Sequence, residues 1–260
     1  MPANICPIVP ATFVEVGQAF ELVDIEEQSL EPDHQSVMDR LRASPDAYSG
    51  MLFVRPYGSE RDPSSFFREL KTVQPGLLII DDKCLCRPDW NETAATPFAD
   101  VTLFSTGHTK YVDLGQGGFA HVADHISYER QEGTDGWLDV RSPEMSWDEH
   151  LHLLLVEAPR ANAHKEALNA IYTQALPPEI QFHPDFQRWR FNIRVSDPAR
   201  LIAAIFDAGL FASSHYASLG SVYAAETFPV AERLHAGVVN LFNDRYFDEQ
   251  QARRVTEVIL

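Results

Sequence analysis

The first half of the chain alternates short apolar runs with amphipathic stretches, and this alternation limits the possible folds more than any other feature. Four runs have the length of a strand, at residues 51–54, 77–80, 101–104 and 119–122. Between them, residues 33–42 and 64–73 repeat apolar side chains at helical spacing. The run LLII at 77–80 is apolar on both faces, as a parallel strand covered by helices is. The sequence therefore predicts an α/β fold with a mostly parallel sheet.

The second half predicts a smaller α/β unit. A helix is predicted at residues 146–158; it opens at Ser146, and Glu149 three residues later completes the pattern of a capping box. A Pro-rich segment follows at residues 176–186. The elements predicted after it are strands at 188–195 and 211–216 and helices at 198–208, 230–241 and 249–260. We therefore predict two domains, a large one at residues 1–176 and a small C-terminal one at residues 177–260.

The charge balance excludes several classes of partner. The chain has 21 Lys and Arg against 38 Asp and Glu, a formal net charge of −17, which repels nucleic acids and anionic membranes. The N-terminal residues lack the basic segment of a signal peptide, and no apolar run is long enough to span a bilayer. Three unevenly spaced cysteines favour a reducing compartment. We expect a cytoplasmic protein without bound metal, because Cys84 and Cys86 lack a second ligand pair at zinc spacing.

Polar segments follow two neighbouring predicted strands. Asp81 and Asp82 come directly after the run LLII, and Lys110 closes the loop STGHTK after the next strand. Ligands of α/β proteins bind at the carboxyl ends of such strands. A sheltered lysine loses its proton readily and attacks aldehydes, while loop hydroxyls and N–H groups hold phosphates. The simpler alternatives are a strand-ending turn for the two acids and a solvated loop lysine for Lys110.

Taken together, these segments resemble the DegT/DnrJ/EryC1/StrS aminotransferases, pyridoxal-phosphate enzymes of fold type I that mostly act on nucleotide-linked keto sugars. The shared pattern is the pair Asp81-Asp82, the segment DVTLFS at residues 100–105, Lys110 five residues after Ser105, and GQGG at residues 115–118. Tyr57-Gly58 and the segments 201–216, 228–234 and 247–259 also match the family. The resemblance therefore covers most of the chain.

The resemblance implies a fold and a set of roles. The fold would be the three-layer large domain of a fold type I transferase, with a mostly parallel sheet and a small C-terminal α/β domain. Lys110 would hold pyridoxal phosphate as a Schiff base and later act as the general base, and Asp82 would pair with the ring nitrogen. Ser105 would donate to the cofactor phosphate. His215 and Tyr216 would lie near the substrate, with a packed strand end as the alternative.

The resemblance also implies an aminotransferase that moves an amino group from an amino-acid donor to a keto sugar and works as a homodimer. The chain differs from the family in beginning inside the usual domain, without the N-terminal segment that contacts the phosphate. Leu85 replaces a Gln or His, and Cys6 stands near a stacking aromatic. A pyridoxal-phosphate-dependent dehydratase is one alternative, against which Lys110 speaks. The other is a truncated or degenerate non-catalytic relative that keeps the fold as a binding or interaction subunit.

One further segment, residues 135–147, carries two tryptophans among polar residues. We interpret it as a surface that faces a partner or substrate, or as a loop that covers the core.

Overall fold

The computed structural model describes residues 1–128 and 145–260. The helices are α1 (Ile8–Glu15), α2 (His34–Ala43), α3 (Ser64–Val73), α4 (Trp147–Ala175), α5 (Pro198–Asp207), α6 (Gly220–Tyr223), α7 (Pro229–Gly237) and α8 (Glu249–Ile259). The strands are β1 (Gly50–Val54), β2 (Leu78–Asp82), β3 (Val101–Ser105), β4 (Gly118–Val122), β5 (Phe191–Arg194), β6 (Ala212–Ser213) and β7 (Val238–Leu241). All but the last three residues of the tryptophan-bearing segment 135–147 lie outside the described residues.

The first sheet has the strand order β1-β2-β3-β4. β1 and β3 both run parallel to β2, and β4 is antiparallel to β3. All four strands lie where the apolar runs predict them, within two residues at each end, so the predicted mostly parallel sheet is confirmed. Helices α2 and α3 bury their apolar faces against this sheet, where Phe53, Phe67 and Ile79 are fully buried. This packing leaves the carboxyl ends of β1, β2 and β3 at a common edge.

The second sheet is antiparallel, with the order β5-β7-β6. Helices α5 and α8 and the second half of α4 pack with it in one core. The capping box of Ser146 and Glu149 is confirmed at the start of α4. However, α4 continues through Pro159 to Ala175, beyond the predicted end at residue 158.

The helix predicted at residues 230–241 was wrong in its last four residues. Helix α7 ends at Gly237, and the following VVNL forms β7, the fully buried central strand of the second sheet. A short apolar run does not distinguish a buried strand from a buried helical turn, and pairing with β5 and β6 decides the outcome.

A third core joins the two ends of the chain. Its N-terminal members are Ala3, Ile5, Leu22, Ile25 and Leu30, and its C-terminal members include Phe182, Phe186, Trp189, Leu219 and Phe228. Helix α4 contributes to two cores, because Leu154 packs on Val112 and Leu168 packs under the second sheet. The division at residue 176 stays a prediction. Within the described ranges, no helix combines the length and apolarity needed to cross a membrane.

Candidate functional site

The carboxyl ends of β2 and β3 bring the predicted acids and the serine to one edge of the sheet. In the parallel register Asp81 lies opposite Thr102 and Asp82 opposite Leu103, so β3 extends two residues further, to Ser105. Asp81 and Asp82 point to opposite faces, as neighbours on a strand do. The two carboxylates therefore have different surroundings and different uses.

Asp81 is fully buried, and its carboxylate is fully engaged in a structural ion pair. The Arg55 guanidinium donates from Nε to Oδ1 and from Nη2 to Oδ2, at 2.7 Å each. The Thr96 hydroxyl donates to Oδ2 at 2.5 Å. The bidentate geometry satisfies both carboxylate oxygens. Local sequence patterns do not point to Arg55 or Thr96, which lie 26 and 15 residues from Asp81.

Asp82, by contrast, is available to a ligand. Its side chain is 7% exposed and accepts a hydrogen bond from the Cys84 backbone N–H at 2.9 Å. Among residues 1–128 and 145–260, no Lys, Arg or His nitrogen lies within 4.0 Å of it. A buried carboxylate without a cationic partner is well suited to bind a cation, because a positive charge would offset its lost hydration.

Lys110 lies at the end of the loop that follows β3. A turn closes the loop, with the Lys110 N–H 3.3 Å from the Gly107 carbonyl. Thr109 has a left-handed φ of 62°, and its N–H donates to Asp113 at 3.1 Å. The Trp189 indole donates to the Thr109 carbonyl at 2.6 Å. The lysine is half-buried, and its backbone and that of Thr109 are held by these hydrogen bonds.

The Cys84 thiol links Asp82 to Lys110 electrostatically. Its pKa is raised chiefly by burial and next by the neighbouring Asp82 carboxylate, while the Lys110 amine lowers it. Both charged groups are therefore close enough to the Cys84 thiol to affect its pKa.

The glycine-rich turn at residues 115–118 packs beneath the lysine loop. Gly117 has a φ of +82°, and a Cβ atom at this position would lie 2.7 Å from Cε1 of His150. The buried Thr106 hydroxyl donates to the Gln116 carbonyl at 2.8 Å and lies 3.2 Å from Nε2 of His150. The turn therefore requires glycine for both conformation and space. Thr106 is used internally, whereas the Ser105 hydroxyl accepts from the Gly107 N–H at 3.4 Å and keeps its own proton to donate.

His215 and Tyr216 approach the same edge from the second sheet. The Tyr57 hydroxyl donates to the His215 carbonyl at 2.7 Å, and the Trp189 ring stacks on Tyr216 with 6.1 Å between ring centres. Burial raises the pKa of the Tyr216 hydroxyl, with smaller contributions from Cys6 and Asp82. Burial, followed by Arg190, lowers the pKa of His215. Tyr216 thus shares the surroundings of Asp82, while His215 is mainly held by its backbone.

No protein-family model matches the sequence, and no curated protein matches it. Solved structures do match. A DegT DnrJ EryC1 StrS aminotransferase from Brucella abortus is 18% identical, with a TM-score of 0.72 over 99% of this chain and 77% of that one. The sugar aminotransferase CalS13 from Micromonospora echinospora is 17% identical, with a TM-score of 0.71 over 99% and 78%. A putative PLP-dependent aminotransferase from Bacillus cereus is 12% identical, with a TM-score of 0.76 over 100% and 78%.

This chain has the aminotransferase fold. The likeness covers essentially the whole chain, so both sheets and the edge that carries Asp82 and Lys110 belong to it. The predicted fold class, an α/β transferase of fold type I with a mostly parallel sheet, is confirmed.

Within the aminotransferase fold, one charged residue near Lys110 escaped sequence analysis. Lys165 on α4 is 4% exposed, and its amine donates to the Trp189 carbonyl and to Oδ1 of Asn243, both at 2.9 Å. Burial, followed by Arg190, lowers its pKa to about 7. A signal exists in the sequence, because Lys165 shares a helical face with Leu168 and Tyr172.

In the sequence Arg190 alternates with Arg188 and Arg194, a pattern that indicates a solvated sheet face paired with nearby acids or, alternatively, a site for an anionic substrate. In the structure the Arg190 side chain does pair with an acid, Asp244, at 2.6 Å, but it is only 3% exposed rather than solvated. Its guanidinium also lies 3.6 Å from the centre of the Phe242 ring. Only the folded chain brings Asp244, 54 residues away, to this arginine.

Proposed function

We propose that the chain binds pyridoxal phosphate at Lys110 and works as an aminotransferase. The proposal is supported most by the positions of Asp82, at the end of β2, and Lys110, in the loop after the neighbouring parallel strand β3; both charges affect the pKa of the Cys84 thiol. A buried carboxylate without a cation and a held lysine are the two groups that this cofactor needs from a protein. The aminotransferases with the same fold add support.

The residues present fit the chemical groups of the cofactor. Asp82 would hold the protonated ring nitrogen, since it is buried and has no basic partner within the described ranges. The Ser105 hydroxyl and nearby loop N–H groups would donate to the phosphate; in the structure Ser105 Oγ lies 3.4 Å from the Gly107 N–H. The bound cofactor supplies an electron sink for the transfer of an amino group.

Lys110 would serve as the covalent anchor and as the base that moves a proton. Its backbone is held by the turn to Gly107 and by the hydrogen bond from the Trp189 indole to Thr109, which would limit the positions that the amine can reach. A base must lie within hydrogen-bond reach of the proton that it takes. The fixed loop meets this demand better than a mobile one.

For the substrate we propose a keto sugar, linked to a nucleotide, with an amino acid such as glutamate as the amino donor. Tyr216, stacked on Trp189, would present an aromatic surface to the sugar, and His215 would flank it. One structural neighbour, CalS13, is a sugar aminotransferase, which supports this substrate class.

The deciding experiment maps the site of attachment. The purified chain is mixed with pyridoxal phosphate, its visible absorption is recorded, and borohydride-reduced protein is digested for mass spectrometry. The chain has only four lysines, Lys71, Lys83, Lys110 and Lys165, so the mapping is unambiguous. We expect the adduct on Lys110, and we expect Lys110→Ala to lose both the absorption band and the adduct.

Lys83→Ala provides the matched control. Lys83 follows Asp82 directly, but its amine lies 5.1 Å from the centre of the Phe104 ring, so this substitution should keep the band and the adduct. An adduct on Lys165 or Lys83 would contradict the assignment to Lys110. No retained cofactor in the wild type would instead favour the second candidate, a non-catalytic relative that serves as a binding or interaction subunit.

We also propose a homodimer. Exposed apolar side chains on the first half of α4 support a subunit contact, among them Trp147 at 46% and Leu155 at 53% exposure. Leu155→Glu should lower the molar mass measured by light scattering, while Arg253→Glu on α8 should not.

A cytoplasmic location fits the three free cysteines. The division into domains 1–176 and 177–260 remains part of this proposal.

A further inference from the structure

A cavity of about 290 Å³ opens between the lysine loop, the middle of α4 and the residues after β7. Two of the four lysines of the chain line it, Lys110 and Lys165. The other charged or titratable residues that line it are Tyr111, Asp113, Glu157, Arg160, His164, Asp244 and Arg245. Neither Asp82 nor Ser105 belongs to this lining, so Lys110 is the one group assigned to the cofactor that also borders the cavity.

The carboxylates around this cavity are already engaged. Asp244 pairs with Arg190 at 2.6 Å, and Glu157 pairs with Arg160 at 2.9 Å. Asp113 accepts hydrogen bonds from the N–H groups of Thr109 and Gly115 at 3.1 and 2.8 Å. In the described part of the chain, no carboxylate lies within 4.0 Å of the Lys110 or Lys165 amine. The two lysines thus face the cavity without an ionic partner.

The hydrogen bonds of Lys165 match a neutral amine. A neutral amine has two N–H donors and one lone pair, whereas an ammonium has three donors. In the described part of the chain the Lys165 amine has two hydrogen-bond acceptors, the Trp189 carbonyl and Asn243 Oδ1, and it lies 5.2 Å from the centre of the Tyr111 ring. Protonation would leave one buried N–H without an acceptor, which is unfavourable. An anion in the cavity would supply that acceptor.

We propose that this cavity binds a small oxyanion, the carboxylate or phosphate group of a metabolite, on Lys165, and that Lys165 takes up a proton as the anion binds. Arg245 and Arg160, half or more exposed, would line the mouth. The pKa of about 7 for Lys165, set by burial and then by Arg190 against the opposing Asp244, means that the proton is exchangeable near neutral pH. Nε2 of His164 is already engaged, because it lies 2.9 Å from the carbonyls of Asp244 and Phe247.

This inference goes beyond the proposed function and does not depend on it. An oxyanion can bind at Lys165 whether or not Lys110 carries pyridoxal phosphate. For this reason each titration is run on the full chain both with and without added pyridoxal phosphate.

The test is isothermal titration calorimetry with two anions that do not themselves titrate near pH 8. Succinate represents the carboxylate group, and sulfate represents the phosphate group. Each is titrated in buffers of different ionisation enthalpy, which gives the number of protons taken up. With a free pKa of about 7, linkage predicts uptake of about 0.5 proton at pH 7 and about 0.9 at pH 8, and affinity about fivefold weaker at pH 8.

Three variants separate the effect of the Lys165 charge from the effect of the space in the cavity. Lys165→Met should abolish binding of the anion. Lys165→Arg should keep binding but lose proton uptake, because arginine stays protonated. Ala161→Phe should block the cavity without changing any charge, since Ala161 lines it. Arg253→Met, which removes an exposed cation that pairs with Glu249 on α8, is the control and should leave binding unchanged.

The anion that binds identifies the ligand class. Binding of succinate alone assigns a carboxylate, and binding of sulfate alone assigns a phosphate group. The proposal is overturned if neither anion binds, if binding occurs without proton uptake, or if Ala161→Phe binds as the wild type does. The last two readouts decide the matter even if Lys165→Met does not fold.

Discussion

The buried pair of Arg55 and Asp81 offers the sharpest test of how this fold holds the carboxyl end of β2. Their side chains are 3% and 0% exposed, and two hydrogen bonds of 2.7 Å join them. Arg55→Met keeps most of the side-chain volume and removes the charge. Asp81 then keeps one hydrogen-bond donor, the Thr96 hydroxyl, in a site that water does not reach.

The expected loss follows from the unpaired carboxylate. Removing one partner of a buried ion pair costs about 3 to 5 kcal/mol, because the remaining charge stays desolvated. For a chain of 260 residues this corresponds to a fall in melting temperature of roughly 6 to 20 °C. Removing both charges in Arg55→Met with Asp81→Leu should restore most of the stability, leaving about 1 kcal/mol lost through the Thr96 hydroxyl.

Urea unfolding followed by circular dichroism measures these differences. Arg61→Met is the matched control, because Arg61 pairs with Asp185 at the surface, 3.7 Å apart, and such pairs contribute about 0 to 1 kcal/mol. A loss below 1 kcal/mol in Arg55→Met would refute the reasoning. A double variant as unstable as the single one would show that the guanidinium acts through packing rather than through charge.

Two further predictions concern the lysine loop and α4. Gly117→Ala should destabilise by about 1 to 3 kcal/mol, since its φ is +82° and its Cβ would meet His150, whereas Gly76→Ala, with open space around it, should stay within about 0.5 kcal/mol in the same melting assay. The pKa of Lys165 is about 7 in the folded chain, against an ordinary value of 10.5. Between these two pH values the unfolded chain binds more protons than the folded chain. The free energy of unfolding therefore rises with pH, by up to about 1.4 kcal/mol per pH unit. Urea unfolding from pH 7 to 9 should therefore favour the wild type increasingly over Lys165→Met; a difference that does not change with pH would contradict this.

Local patterns predicted the first sheet well because each of its strands has its own apolar run. The same patterns misassigned residues 238–241, since VVNL is equally apolar as a helical turn or as the central strand between β5 and β6. Helix α4 does not end at Pro159, because residues on both sides of the proline pack into hydrophobic cores that stabilise the helix. The decision in both places comes from tertiary packing rather than from local preference.

The candidate site divides in the same way. Asp82, Ser105 and Lys110 lie within 29 residues of one another at strand ends, where sequence spacing carries information. Lys165 and Arg190 acquire their environments from Asn243 and Asp244, which lie 78 and 54 residues away. Only the folded chain brings these groups together, so their partners could not be predicted from the sequence, although the apolar face that Lys165 shares with Leu168 and Tyr172 indicates that Lys165 is buried.

Trp189 joins parts of the chain that are otherwise far apart. Its backbone N–H donates to the Tyr57 carbonyl, its indole donates to Thr109 beside Lys110, and its carbonyl accepts from Lys165. Trp189 lies two residues before β5, so it moves with the second sheet. Any rotation of that sheet relative to the first must either move the lysine loop as well or break the hydrogen bond from the indole to Thr109. The position of the lysine loop, and with it Lys110, therefore depends on how the second sheet is oriented relative to the first.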